Sequence, residues 1–340
     1  MNYMKTIKNT FLLLLICLSV NGVKAQKAPT SKDLTVAQDG SGDYINIQDA
    51  INAVRDLGPR QVTIHIKKGI YHEKVVIPSW KTGISLVGEN ADSTVIVNDD
   101  YSGKPVACGK DAYGRTQMST YTSYTLLIQG DDCNVKNLTI INRAGRVGQA
   151  VALNVEGDRC IVINCRLIGN QDTVYLAKGT SRQYYKDCYI EGTTDFIFGE
   201  ATAVFDHCTI KSLVNSYITA AATTKRQAYG FVFLNCKLIA DTGANKVYLG
   251  RPWRSYAKTV YINTEMGSHI LPQGWDPWIG DTMFPDKEHT AYYAEYNSTG
   301  AGNNAKSRVP WSKQLTATEA KAYTLKNILG GPDNWVPLAK

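Results

Sequence analysis

The sequence predicts an all-β fold, a parallel β-solenoid with a capping helix at its N-terminal end and a helical tail. Three observations lead there. One pattern occurs twice between Cys165 and Phe198: Cys165 and Cys188 are 23 residues apart, Asp172 and Asp195 are also 23 apart, and each Asp follows its Cys by seven. Gln149 precedes Cys165 by 16 residues, the interval that separates Asp172 from Cys188, which puts Gln149, Asp172 and Asp195 in one phase of the repeat. Second, β-like runs recur at 134–140, 161–168, 184–190, 204–210 and 231–239, with matched positions Leu138, Cys165, Cys188, Cys208 and Cys236 separated by 27, 23, 20 and 28 residues. A period in the twenties built from short strands is that of a solenoid. Third, strands this closely spaced leave no room for crossover helices, which disfavours a doubly wound α/β sheet.

Residues 1–25 stand apart from that fold. Lys5 and Lys8 precede an apolar run over 11–20 that is short for a membrane span, and Val23-Lys24-Ala25 resembles a signal peptidase site before Gln26. The reading is a signal peptide cleaved after Ala25, a secreted or periplasmic protein with no membrane attachment afterwards, and a single β-helix domain over 26–340. Residues 34–36 read as a first strand and 39–43 as a Gly-rich turn. Ile47, Ala50, Ile51, Val54 and Leu57 form a helical stripe that stops at Gly58-Pro59, an amphipathic cap for the open end of the coil. Strand-like runs follow at 62–66, 75–78, 84–88 and 94–97. The stretch 98–123 is rich in Gly, Tyr and Ser and has little periodicity, so it reads as a long excursion. After the regular units come strands at 247–253, 259–262 and 291–296. The tail 316–329 has a second helical pattern, with Thr316 as its cap and Gly330-Gly331-Pro332 as its stop.

Composition narrows the function. The formal net charge is +7, and removing Lys5, Lys8 and Lys24 with the leader lowers it to +4, a mild surplus that suits an acidic polymer and gives no sign of nucleic acid. Of eight cysteines, seven remain after the leader, at spacings unlike those of a small disulfide scaffold. Cys165, Cys188, Cys208 and Cys236 each follow an Asn, Asp or His and read as small apolar fillers stacked inside the solenoid, close enough for a bridge to stay open as an alternative. No CxxC pair or HExxH motif suggests a metal site, and no G-x-S-x-G elbow, P-loop or dinucleotide fingerprint is present.

What remains is a pair of carboxylates with glutamines beside them. Equivalent positions in successive coils stack roughly 4.8 Å apart, which makes Asp172 and Asp195 near neighbours on one wall. Carboxylates that close do not ionise together easily, so one is expected to have its pKa pushed up and the other to have its pKa held down. Strand alternation alone does not say which of Asp172, Val174, Asp195 and Ile197 face outward.

At Gln149-Ala150-Val151-Ala152-Leu153, Gln171-Asp172-Thr173-Val174-Tyr175, Asp195-Phe196-Ile197-Phe198-Gly199 and Leu249-Gly250-Arg251-Pro252-Trp253, with Gly69-Ile70-Tyr71-His72-Glu73, the chain resembles the pectin methylesterases, five segments in order. The resemblance implies a right-handed parallel β-helix that hydrolyses methyl esters of polygalacturonate (pectin) to methanol and pectate, as a monomer and without metal or cofactor. It casts Asp195 as nucleophile, Asp172 as general acid and base, Gln149 and Gln171 as oxyanion partners, and Arg251 as the guanidinium that holds the nucleophile. Trp253 matches a wall of the sugar cleft, Thr125 a substrate-contacting threonine, and Tyr175 and Phe198 further cleft positions. Val174 departs from the leucine common in the family. Two other readings stay open: a β-helical pectate lyase or polygalacturonase that cuts the backbone, and a non-catalytic carbohydrate-binding solenoid. The first needs a calcium cluster of acids that the region around Asp172 lacks, and the paired aspartates argue against the second.

Overall fold

One residue at the same corner of seven of the described coils shapes this chain. Asn137, Asn164, Asp187, His207, Asn235, Asn263 and Asn297 all have φ between 50° and 55°. That left-handed region admits short polar side chains more readily than branched ones. Each of these residues immediately precedes the matched position of its coil, so each run read above as one strand is two strands with a bend between them. Cys160–Ile163 turns at Asn164 into Arg166–Ile168, and Arg182–Lys186 turns at Asp187 into Tyr189–Gly192. The computed structural model describes residues 33–337 apart from Cys108 and Ala112, and the expected leader, its cleavage site and Cys17 lie outside the described residues.

The two arms of each bend enter different sheets. Among the described residues there are three, of eleven, eight and seven strands, with each coil adding a strand beside that of the coil before it. The ladders are parallel: Val162 pairs with Tyr185, Leu167 with Ile190, and Val174 with Ile197. This is a parallel β-helix, and its right hand is the one that parallel crossovers take. The seven-stranded sheet was largely invisible in the sequence. Its members Leu126–Ile128, Leu153–Val155, Val174–Leu176 and Ile197–Gly199 have three residues each, too few to display an alternation.

Stacking of like on like fills the interior. Tyr185, Phe205, Phe233 and Tyr261 form a run of parallel rings at centroid distances of 4.8, 4.6 and 4.4 Å. The six described cysteines are buried and free. Their thiols face backbone carbonyls of the preceding coil, as Cys165 does Val135 at 3.6 Å and Cys188 does Val162 at 3.5 Å. The bend residues form a ladder outside: the side-chain amide of Asn164 donates to Asn137 at 2.8 Å, and that of Asn297 donates to Asn263 at 2.8 Å.

The N-terminal cap is shorter than its stripe suggests. The helix covers Ile47–Ala53, Val54 is already extended, and Leu57 is 71% exposed with φ 48°. Both ends are held from outside. Glu73 accepts the first amides, from Ile47 at 2.9 Å and Gln48 at 3.0 Å, so the Gly69 to Glu73 segment serves this helix. The Lys81 ammonium donates to the Asn52 carbonyl at 3.0 Å and to that of Val54, which satisfies carbonyls at the helix C-terminus. The tail is two helices, Ala317–Ala320 and Leu325–Leu329, because Thr324 starts a new one: its hydroxyl accepts from the Asn327 amide. Thr316 caps the first as expected, within a capping box with Glu319. No helix among the described residues is long and apolar enough to cross a membrane.

Candidate active site

Side chains alternate between the interior and the outer face along the strands of the seven-stranded sheet. Leu127, Tyr175, Phe198 and Ala220 form an outer cluster, while Leu126, Val174 and Ile197 belong to the interior. Alternation would therefore aim residues 172 and 195 inward, two positions before Val174 and Ile197. It fails there because Asp172 and Asp195 themselves have φ of 66° and 49°. One left-handed residue reverses the side-chain direction, which lets Phe196 and Ile197 both enter the core while Asp195 faces the cleft. Such backbone conformations are uncommon outside Gly, least so for Asp and Asn, and they cluster at functional sites.

The repeat phase brings the two carboxylates to adjacent coils. Asp172 donates its amide to the Thr194 carbonyl at 3.1 Å, the ladder contact of a residue aligned with Asp195. Gln149 departs from the expected register and bridges Gln171 instead of Asp172. Val155 pairs with Leu176 and Cys160 with Gln183, so the corner takes five steps in one coil and seven in the next. Gln149 also lies four positions before Leu153, against three from Gln171 to Val174, and the net result is a slip of one. The slip sets the two glutamines side by side, and both line the cleft with both aspartates.

The cleft has a volume of about 300 Å³ and is also lined by Phe198, Arg251, Trp253 and Trp278. Arg251 grips Asp195 with two bonds, Nε to Oδ1 at 3.0 Å and Nη2 to Oδ2 at 2.7 Å. This planar fork is the strongest form of the pair. The guanidinium itself lies between the rings of Tyr217 and Trp278, at 3.9 and 3.6 Å. Tyr175 stacks on Phe198 at 4.6 Å, and Phe198 meets Trp253 edge-on at 5.8 Å.

Burial pushes the Asp172 carboxyl well above its ordinary range, and the negative charge of Asp195 adds to the shift. Burial also raises Asp195, where the hydrogen bonds and charge of Arg251 oppose it. The expectation that one carboxylate is simply held down is corrected on this point: desolvation outweighs the guanidinium at Asp195. The order is the anticipated one, with Asp172 the better proton holder. A carboxyl of each kind, side by side, can attack a carbonyl with one and move a proton with the other.

Thr125 does not line the cleft. It is fully buried, and its hydroxyl donates to the Ile141 carbonyl at 2.9 Å. Thr120 and Tyr121 line the cleft instead, brought there by the short helix Thr120–Thr122 in the segment read as an excursion. Tyr121 meets Tyr175 at 5.4 Å. Tyr217 belongs to no repeated pattern and goes unmarked in the sequence, whereas Trp278 reads there as cleft rim or packing and does line the cleft. Glu200, the next residue after Gly199, accepts from the Tyr175 hydroxyl at 3.4 Å, and burial raises its carboxyl.

A family model described as Pectinesterase matches residues 33–332. Among curated relatives, a probable pectinesterase/pectinesterase inhibitor of Arabidopsis thaliana is 36% identical over 324 residues, 91% of this chain and 54% of that protein. The chain spans about half the length of the first such relatives it matches. Among solved structures, a pectin methylesterase from carrot superposes with a TM-score of 0.79 at 32% identity, covering 91% of this chain and 96% of that one. A pectin methylesterase mutant in complex with a hexasaccharide superposes with a TM-score of 0.77 at 30% identity, covering 92% and 100%.

Proposed function

This chain belongs to the pectinesterase family, and from that premise we propose that it hydrolyses methyl esters of polygalacturonate, releasing methanol and leaving pectate. The observation that carries the reading is the bidentate Arg251–Asp195 contact with Asp172 beside it in one buried cleft.

The steps follow from that arrangement. Ionised Asp195, aimed by Arg251, attacks the ester carbonyl carbon, and the carbonyl π pair moves onto oxygen. The side-chain amides of Gln149 and Gln171 donate to that oxyanion. Protonated Asp172 gives its proton to the departing methoxide, so methanol leaves and an anhydride joins the sugar to Asp195. Asp172, now a carboxylate, takes a proton from water, and the hydroxide attacks the sugar carbonyl. Collapse of the second tetrahedral species frees Asp195 as a carboxylate and the product as galacturonic acid, which gives its proton to solvent to become galacturonate, with Asp172 protonated again. Phe198 and Trp253 supply apolar faces for the sugar rings and the ester methyl, and Tyr175, which does not line the cleft, backs Phe198 by stacking on it. A relative's structure with a bound hexasaccharide supports an oligosaccharide in this cleft.

Action on a wall polymer agrees with export, and N-terminal sequencing of the secreted protein tests cleavage after Ala25. For the activity, methanol and chain length are followed together on esterified pectin. Methanol with chains of unchanged length is expected. Shortened chains, or neither product, contradict the proposal.

A further inference from the structure

One fully buried cation beside the cleft has no part in the steps above. The Lys287 side chain has no exposed surface, and its ammonium pairs with Asp281 at 2.6 Å. The same ammonium lies 4.4 Å from the centre of the Trp278 ring, a ring that also carries the Arg251 guanidinium at 3.6 Å. The segment that bears Trp278 is otherwise thinly held. Ile279 and Met283 on it are 90% and 75% exposed, and the Trp278 amide is fixed through Asp276 Oδ1 at 2.7 Å. A buried ammonium is expensive to desolvate and persists where its position matters.

We propose that Lys287 is a positioning residue for the Arg251–Asp195 pair: anchored by Asp281, it holds Trp278 as a plate against the Arg251 guanidinium. The proposal rests on the reading of Asp195 as the attacking carboxylate, but the placement itself does not. Two cations with one indole set the guanidinium's plane, and the fork to Asp195 depends on that plane. Lys287 also contributes charge. Arg251 and Lys287 favour the ionised form of Asp195 and Asp276 opposes it, while Asp172, Tyr217 and Tyr293 each feel its charge. Lys287 in turn is faced by Asp281, Arg254 and Arg251, with Asp286 and Glu288 next to it in the chain. Removing its charge therefore raises the Asp195 midpoint, and removing its contact loosens Arg251.

The test is a carboxyl ¹³C titration of Asp195, assigned by its loss in Asp195→Asn, in the wild type and in Lys287→Met. It needs no turnover. The expected result is an Asp195 midpoint higher by about half a pH unit or more, with methanol release down roughly tenfold in kcat and KM little changed. Lys287→Arg, which keeps the charge, is expected to restore the midpoint and most of the rate. Should Lys287→Met not fold, Lys287→Met/Asp281→Asn strands no charge and gives the same comparison. A folded variant with the wild-type midpoint overturns the proposal. A shifted midpoint in a protein that never releases methanol upholds it and overturns the functional reading instead.

Discussion

At Asp195 two forces act on one carboxylate. Burial favours the protonated form, while the Arg251 fork favours the charged one, and the result is a group less raised than its neighbour Asp172. Replacing the fork by a point charge should show its worth. Arg251→Lys is expected to cut kcat by about two orders of magnitude or more and to move the acidic limb of the rate profile upward, measured as methanol release against pH. Asp172 makes a prediction about stability. Its carboxyl is raised in the folded state, so its contribution is fully present below the ordinary 3.8 and is lost as pH rises through the folded value. Asp172→Asn should therefore melt with the wild type at low pH and above it at neutral pH, a difference read from Tm between pH 3 and 8. Equal melting curves throughout that range would contradict the burial argument. The aspartates were legible because a solenoid writes its neighbours into spacing, but Gln149 was placed one position off because two compensating length changes are silent in a cysteine count. Tyr121 and Lys287 have no periodic partners, so nothing in the sequence set them beside the site.

Among the elements, the bends do more than the strands. Among the described residues, seven coils turn at a left-handed Asn, Asp or His, and the side chains of several bond to the coil before. Asn164→Ala removes one such bond and strains the turn, and it is expected to cost about 1–3 kcal/mol in urea unfolding with esterase activity retained. The neighbouring thiols are inert by the same packing. Burial raises the Cys165, Cys188 and Cys208 thiols well above their ordinary range, so the described cysteines should resist a thiol reagent until the protein unfolds. Rapid labelling of folded protein would contradict this. These corners were half visible: the Asn-Cys pairs stood out, yet a bend and a continuous strand share the same apolar residues. The three-residue strands of the cleft sheet were too short to announce themselves at all.

On the scale of the molecule, the coil explains why so much function was readable. A β-helix brings residues 23 apart in sequence side by side, so Asp172 and Asp195 meet without any long-range rearrangement. The ends depended on contacts from elsewhere. Glu73 and Lys81 decide where the first helix begins and stops, and Arg182 reaches across to the Leu329 carbonyl and Asp333 to hold the tail. The excursion through residues 98–123 also returns to roof the cleft with Thr120 and Tyr121. All of these serve one arrangement, an aspartate forked by arginine beside an aspartic acid. The most direct test of it is methanol release from methyl-esterified polygalacturonate by folded Asp195→Ala and Asp172→Ala, each checked by circular dichroism. Both are expected to lose activity by about a thousandfold or more, whereas a folded Asp195→Ala enzyme turning over at the wild-type rate would contradict the account.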